Sequence, residues 1–253
     1  MTMEFFVDKD SIVRKIWGKG DTILFIFAGA SAEFALNKAV DWLYFTGRLP
    51  SDPLNRLFST VAYAREIIFA ERHKAIQAID KISTIHNNVE KSRGDEIPDW
   101  AFRDVLFMLI DYSIRSFEVL ERKLTHDERT EVFDVFYRVG VRMGIKDLPL
   151  NLQEWIISRK AHLERNLIRS GLTIDLYKQY RKHLGYFRFQ ILKQAQILVV
   201  PESVNKLLSL GRIPLLIPVV KVYKLAQRFK LEGFLKNAVL PDEYKKQIAG
   251  LDK

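Results

Sequence analysis

An all-α single domain is the fold class that the sequence predicts. Three observations carry that expectation. Apolar residues recur at three- and four-residue intervals along nearly the whole chain. No alternating apolar and polar runs are joined by hairpin turns, and no segment of roughly 20 to 50 residues repeats. At 253 residues, 48% hydrophobic and 28% charged, the chain can bury a core without staples or a structural metal.

The elements follow in order. Asp21 to Thr46 keeps helical spacing and reads as one helix, although Thr22 to Ala28 alone would equally suit a buried strand. Ser51-Asp52-Pro53 is a helix start, a capping side chain followed by a proline whose fixed φ suits the first turn, and a second helix runs to about Arg72. Ala75, Ile79, Ile82, His86 and Val89 form a stripe on a third helix, expected to face a core. Asn87 to Pro98 is polar, carries Gly94 and Pro98, and is expected to be the longest internal loop. Further helices are expected at about Asp99 to Leu124, Asp127 to Met143 with a Thr125/Glu128 capping box, Leu152 to Ser170 and Ile174 to Val200. A last helical stretch from Ser203 to Phe234 must bend or divide at Pro214 and Pro218.

Composition excludes several chemistries. The chain has no cysteine, which removes disulfides, thiolate nucleophiles, Cys-ligated zinc, iron–sulfur clusters and thioether-attached haem. Met1 to Lys15 lacks the apolar region of a secretory signal. Ile23 to Leu36, interrupted by Glu33, and Ile213 to Val222, interrupted by Lys221, fall short of the roughly 18 to 20 clean residues of a membrane span. The expectation is a soluble, cytoplasmic chain.

Charge is uneven. Residues 1–150 hold 21 Lys and Arg against 23 Asp and Glu, whereas residues 151–253 hold 19 against 8. A basic carboxyl-terminal portion is either a solvated surface or an attractor of polyanions, whether nucleic acid, anionic lipid or acidic protein, and charge alone does not choose. Val204 to Lys236 mixes aliphatic and basic side chains in a way that suits an anionic bilayer surface, so peripheral membrane contact is one expectation. No recognised DNA or RNA module appears, and nucleic acid is not expected.

No phosphate-binding loop, nucleophile elbow or His-Glu-x-x-His motif exists, and Gly18-Lys19-Gly20 lacks the third glycine of a dinucleotide fingerprint. Three residues before the five histidines stand Ala70, Ser83, Lys123, Arg159 and Tyr180, which excludes the Glu-x-x-His pairs of di-iron bundles. His86 interrupts an aliphatic stripe and has two readings, a haem ligand in a greasy pocket or a core histidine bonded to a backbone carbonyl. Arg56 and Thr60, four apart with Tyr63 and Ile67 on the same face, would either polarise dioxygen or hold a carboxylate. Alternatively, they are an exposed or salt-bridged arginine and a threonine bonding its own helix.

Asp10-Ser11, Asp21, Phe27-Ala28-Gly29, Asp52-Pro53-Leu54-x-Arg56-Leu57-x-x-Thr60, Tyr63, Phe69, Ala75 and Ile85-His86-x-x-Val89 together resemble the rubber oxygenase catalytic domain. That family includes the bacterial latex-clearing proteins and the oxygenase of the fungal mycophenolic acid pathway. The likeness continues through Asp127-Glu128-Arg129, Gly140-Val141-x-x-Gly144-Ile145 and Leu148-Pro149 to Leu240-Pro241. It implies an all-helical fold with a buried apolar pocket for non-covalent haem b, and a reaction of dioxygen with a hydrophobic, lipid-like substrate. His86 would be the proximal iron ligand, with Arg56 and Thr60 on the distal side. The sequence departs from the family at Ser59, where latex-clearing proteins have a lysine, and at Asp111, where many relatives carry a second histidine. It departs also at Ala39-Val40, in place of His-Pro, and at Lys91, in place of glycine. Asp41 is a nearby candidate base. The alternative is a helical family member without catalysis, haem-binding or haem-free, whose basic carboxyl-terminal third docks to an anionic lipid or protein surface.

Overall fold

The computed structural model describes residues 4–47 and 51–227, except for the side chains of Arg56, Leu57 and residues 225–227. It is a single all-α domain, 76% helical, and no strand forms among the described residues. The helices are α1 (Ile12–Trp17), α2 (Gly20–Leu36), α3 (Val40–Phe45), α4 (Pro53–Phe69), α5 (Arg72–Arg93) and α6 (Asp99–Leu120). They continue with α7 (His126–Arg142), α8 (Leu152–Arg165), α9 (Gly171–Val199), α10 (Glu202–Leu208) and α11 (Ile217–Gln227).

Helix α2 is the axis. Its residues are apolar on almost every side, and a helix of that kind has no face to offer water. It is therefore enclosed, chiefly by α6 and α9 and also by α1, α4 and α10. Ile23, Ile26, Ala32 and Leu36 are completely or almost completely buried along it. Gly29 lets α6 approach closely, because a Cβ at that position would overlap the ring of Tyr112. Short α1, capped by the Ser11 hydroxyl accepting from the Val13 amide at 3.0 Å, packs Trp17 against the same core. The Trp17 indole N–H donates to Ser113 Oγ at 3.0 Å.

Several boundaries differ from the sequence expectation. The helix expected over Asp21 to Thr46 breaks after Leu36, because Asn37 turns extended and spends its side chain on tertiary partners. Its Nδ2 donates to Asp104 and its Oδ1 accepts from the Ala39 amide. The loop expected from Asn87 shrinks to residues 94–98. Helix α5 runs on to Arg93 and ends on Gly94 in the left-handed region (φ 72°), whose N–H donates to the Glu90 carbonyl at 2.8 Å. Helix α9 is not continuous either. Gly185 (φ 72°, ψ 169°) occupies a region open essentially to glycine alone, and the chain folds back there. The Tyr177 hydroxyl donates to Gln196 Oε1 at 3.0 Å, although 19 residues of straight helix would part them by about 28 Å. The last expected helix divides into α10 and α11 around Pro214, and its end toward Phe234 lies outside the described residues.

Gly29→Ala is expected to cost about 1–3 kcal/mol of stability through overpacking, despite a gain of about 1 kcal/mol in helix propensity. In a chain of this size that lowers Tm by roughly 2–4 °C per kcal/mol in a thermal melt. An unchanged Tm would show that the Tyr112 ring can move aside freely.

Candidate functional site

Helices α4 and α5 form a hairpin joined by Ala70 and Glu71. Asp52 caps α4, its Oδ1 accepting from the Asn55 amide at 3.0 Å, and Pro53 opens the first turn. Val61, Ala64 and Ile68 are buried as one stripe, as their spacing predicts. The hairpin is antiparallel, with Lys81 Nζ over the Tyr63 ring at 5.7 Å. Arg56 lies 13 residues before the end of α4 and His86 lies 14 residues after the start of α5, so both backbones stand about 20 Å from the connection. The two positions share one level at the open end of the hairpin.

The stripe that carries His86 buries only its first half. Ala75 and Ile79 are inaccessible, whereas Ile82, His86 and Val89 are half-buried and Ile85 is exposed. The imidazole meets the Phe102 ring of α6 edge-on, with centroids 5.1 Å apart. Two turns further along α5, Arg93 donates to Asp41 at 2.7 Å and stacks over Trp42 at 4.0 Å, which ties α3 to the end of α5. Asp41 is thus engaged. Thr60 and Ser59 are half-buried on α4, and the Arg56 side chain lies outside the described residues. Val40 is buried, and Ala39 belongs to the Asn37 turn.

The strongest electrostatic feature was not legible as such in the sequence. Glu33, with 0% exposure at the centre of the domain, accepts both terminal guanidinium nitrogens of Arg159. It also accepts the Tyr112 hydroxyl at 2.7 Å and meets His162 Nε2 at 2.8 Å. Arg159 also donates to Asp111 from Nε (3.0 Å) and Nη2 (2.9 Å), and Asp111 receives Arg115 at 2.7 Å. The other nitrogen of His162 makes an ion-pair contact with Asp104 at 2.6 Å. Asp104 receives Asn37 and Asn166 as well. Asp111, a departure from the family pattern in sequence, is thereby a member of a buried network joining α2, α6 and α8.

Burial alone would raise the Glu33 pKa, but the Arg159 charge and hydrogen bonds, with those of His162, hold it at about 2. Burial pushes His162 down, and its bonds to Asp104 and Glu33 overcome this and raise it. The imidazole lies between two carboxylates, which favour its charged form. The network also fixes the site: Asp104 pins α6 on one side, and Phe102, two residues earlier and so on roughly the opposite side, meets His86. Among the described residues no three His, Asp or Glu side chains are placed to share a metal ion.

Arg159→Met should leave Glu33 buried without its counter-charge and cost about 3–5 kcal/mol, measured by denaturant unfolding. Two pH limbs follow from the shifts. Glu33 contributes fully above its ordinary value of 4.5 and loses that contribution as pH falls toward about 2. His162, raised from 6.5, contributes fully below that value and loses the contribution as pH rises through its folded pKa. In the variant His162→Gln the alkaline limb should vanish from the stability profile. Its persistence there would assign the limb to another group.

No curated protein and no solved structure matches the chain. A family model does, over residues 15–161, described as ER-bound oxygenase mpaB/B'/Rubber oxygenase, catalytic domain. The match takes in α2 to α7 and most of α8, with His86, Arg56, Thr60 and the whole ionic network except His162 and Asn166. No helix among the described residues is long and apolar enough to cross a membrane. The chain belongs to the rubber oxygenase catalytic-domain family.

Proposed function

We propose that the chain is an oxygenase that holds haem b non-covalently through His86 and turns dioxygen on an apolar substrate. One observation carries this reading: a half-buried imidazole, edge-on to Phe102 in an aliphatic stripe, level with Arg56 on the adjoining helix. The residues fit the group. An imidazole nitrogen is a haem-iron donor, and Phe102, Ile82, Ile85 and Val89 offer apolar surface for a macrocycle. Bound haem would supply the dioxygen chemistry; the protein supplies orientation and field.

His86 fixes the ligand's position from α5, and Phe102 limits rotation of its ring. Arg56 keeps its charge at any working pH, so with the Thr60 hydroxyl it would stabilise negative charge developing on oxygen. Arg93 occupies one oxygen of Asp41, so the other oxygen would be the one to take a proton. The apolar neighbours favour a hydrophobic substrate over a polar one.

His86→Ala is expected to lose the haem absorption band on reconstitution while keeping its helical circular dichroism. Retention of the band would remove His86 as the ligand. Arg56→Ala should keep the haem and slow substrate oxidation by about 100-fold or more, the usual loss when a charge-stabilising donor is removed.

A second reading rests on the surface around α11. Ile213, Leu215 and Val222 are exposed beside Arg212 and Lys221, a mixture that suits docking to an anionic bilayer without catalysis. Arg228, Lys230 and Lys236, which extend that composition, lie outside the described residues. Salt-sensitive cosedimentation with phosphatidylserine vesicles by a chain that takes up no haem would favour this reading.

A further inference from the structure

An apolar cavity lies between α2, α4, the folded-back α9 and α11. It is open on one side, and the space its walls border, open solvent included, is about 910 Å³. Leu24, Phe27, Phe58, Leu192, Ala195 and Val220 are typical of its wall, and His86 is not part of it. Leu54 and Phe58 give the cavity its α4 side, and Phe58 meets Phe27 of α2 edge-on at 5.2 Å. The family match ends at residue 161, so α2 and α4 belong to the matched part while α9 and α11 lie beyond it.

Two charged side chains interrupt this wall, Asp21 and Arg188. Asp21 is 4% exposed. Its Oδ2 accepts the Tyr223 hydroxyl at 2.7 Å, and its Oδ1 is buried without a hydrogen-bond partner. A buried acceptor left unpaired is costly, more so when charged, so a donor brought to Oδ1 recovers that loss. Apolar walls around one unsatisfied acceptor define the occupant: a hydrocarbon body ending in one hydrogen-bond donor. Arg188 is only half-buried and its charge can remain in water.

We propose that this cavity is a second binding site, separate from the His86 position, for an aliphatic molecule with a hydroxyl or ammonium head seated on Asp21. The tail lies along Phe27, Phe58 and Leu192, and the head donates to Oδ1 while Tyr223 holds the other oxygen. The hairpin at Gly185 creates the site, since Tyr180 and Leu184 come from one limb of α9 and Arg188 to Ala195 from the other.

The test is calorimetric titration of the full chain with 1-decanol, decylamine and decanoate, without added haem, so that its outcome does not depend on the iron chemistry. One decanol or decylamine should bind per chain, and decanoate more weakly. Asp21→Leu should weaken decanol and decylamine by roughly 10-fold or more, the scale of a hydrogen bond to a charged group. Asp21→Asn, which keeps the shape, should weaken decylamine more than decanol. Ala195→Phe, which fills the cavity, should abolish binding of all three in a protein that still melts cooperatively. Tighter binding of decanoate would move the head to Arg188 and overturn the assignment. So would undiminished binding in Ala195→Phe, equal affinities in the Asp21 variants and wild type, or no binding of either donor probe.

Discussion

A carboxylate at the centre of an apolar helix constrains everything around it. Glu33 lies on α2, which packs on nearly every side, and an ion taken out of water costs several kcal/mol unless it is met by charge and hydrogen bonds. Arg159, His162 and Tyr112 meet it. Because these partners come from α6 and α8, their register against α2 is fixed by charge pairing as well as by shape. The close approach of Tyr112 to Gly29 works in the same direction. From this centre the constraint passes outward through Asp104 to Asn37, which ends α2 and turns the chain into α3. It also passes along α6 to Phe102 and so to His86.

Much of the fold was legible locally. Thr125 and Glu128 form the reciprocal cap that their spacing announces, and Asp52-Pro53 starts a helix as written. The failures have physical causes. Six residues of α1 are too few for a period to be recognised. The tail of α5 is polar because it faces water, which composition cannot distinguish from a loop. Asn37 breaks α2 for the sake of Asp104, 67 residues away. Gly185 lies within an otherwise periodic stretch, and the reversal shows only in the folded chain, in its backbone angles and in the contact of Tyr177 with Gln196.

The candidate site was legible in identity and not in setting. His86 stands out in sequence because an imidazole interrupts aliphatic residues, and family resemblance gives it, Arg56 and Thr60 a joint meaning. Only the structure shows that the stripe is buried at Ala75 and Ile79 and open at Ile85, or that Asp41 is held by Arg93. The ionic network could not be read at all. Glu33 appeared as a flaw in a greasy run and Asp111 as a departure from relatives. Arg159 and His162 offer the sequence reader nothing beyond a spacing of three, and pairings across 126 and 129 positions leave no local trace. The matched region contains the proposed iron ligand and nearly all of that network, while the apolar cavity is completed by helices beyond it.

Uptake of haem by this helical domain decides whether His86 is an iron ligand. The most direct measurement is the visible spectrum of the wild-type chain after equimolar haemin is added and excess removed, recorded oxidised and after dithionite reduction. A Soret band at one haem per chain, shifting on reduction as a histidine-ligated iron does, is the predicted result. A chain that emerges colourless would contradict it.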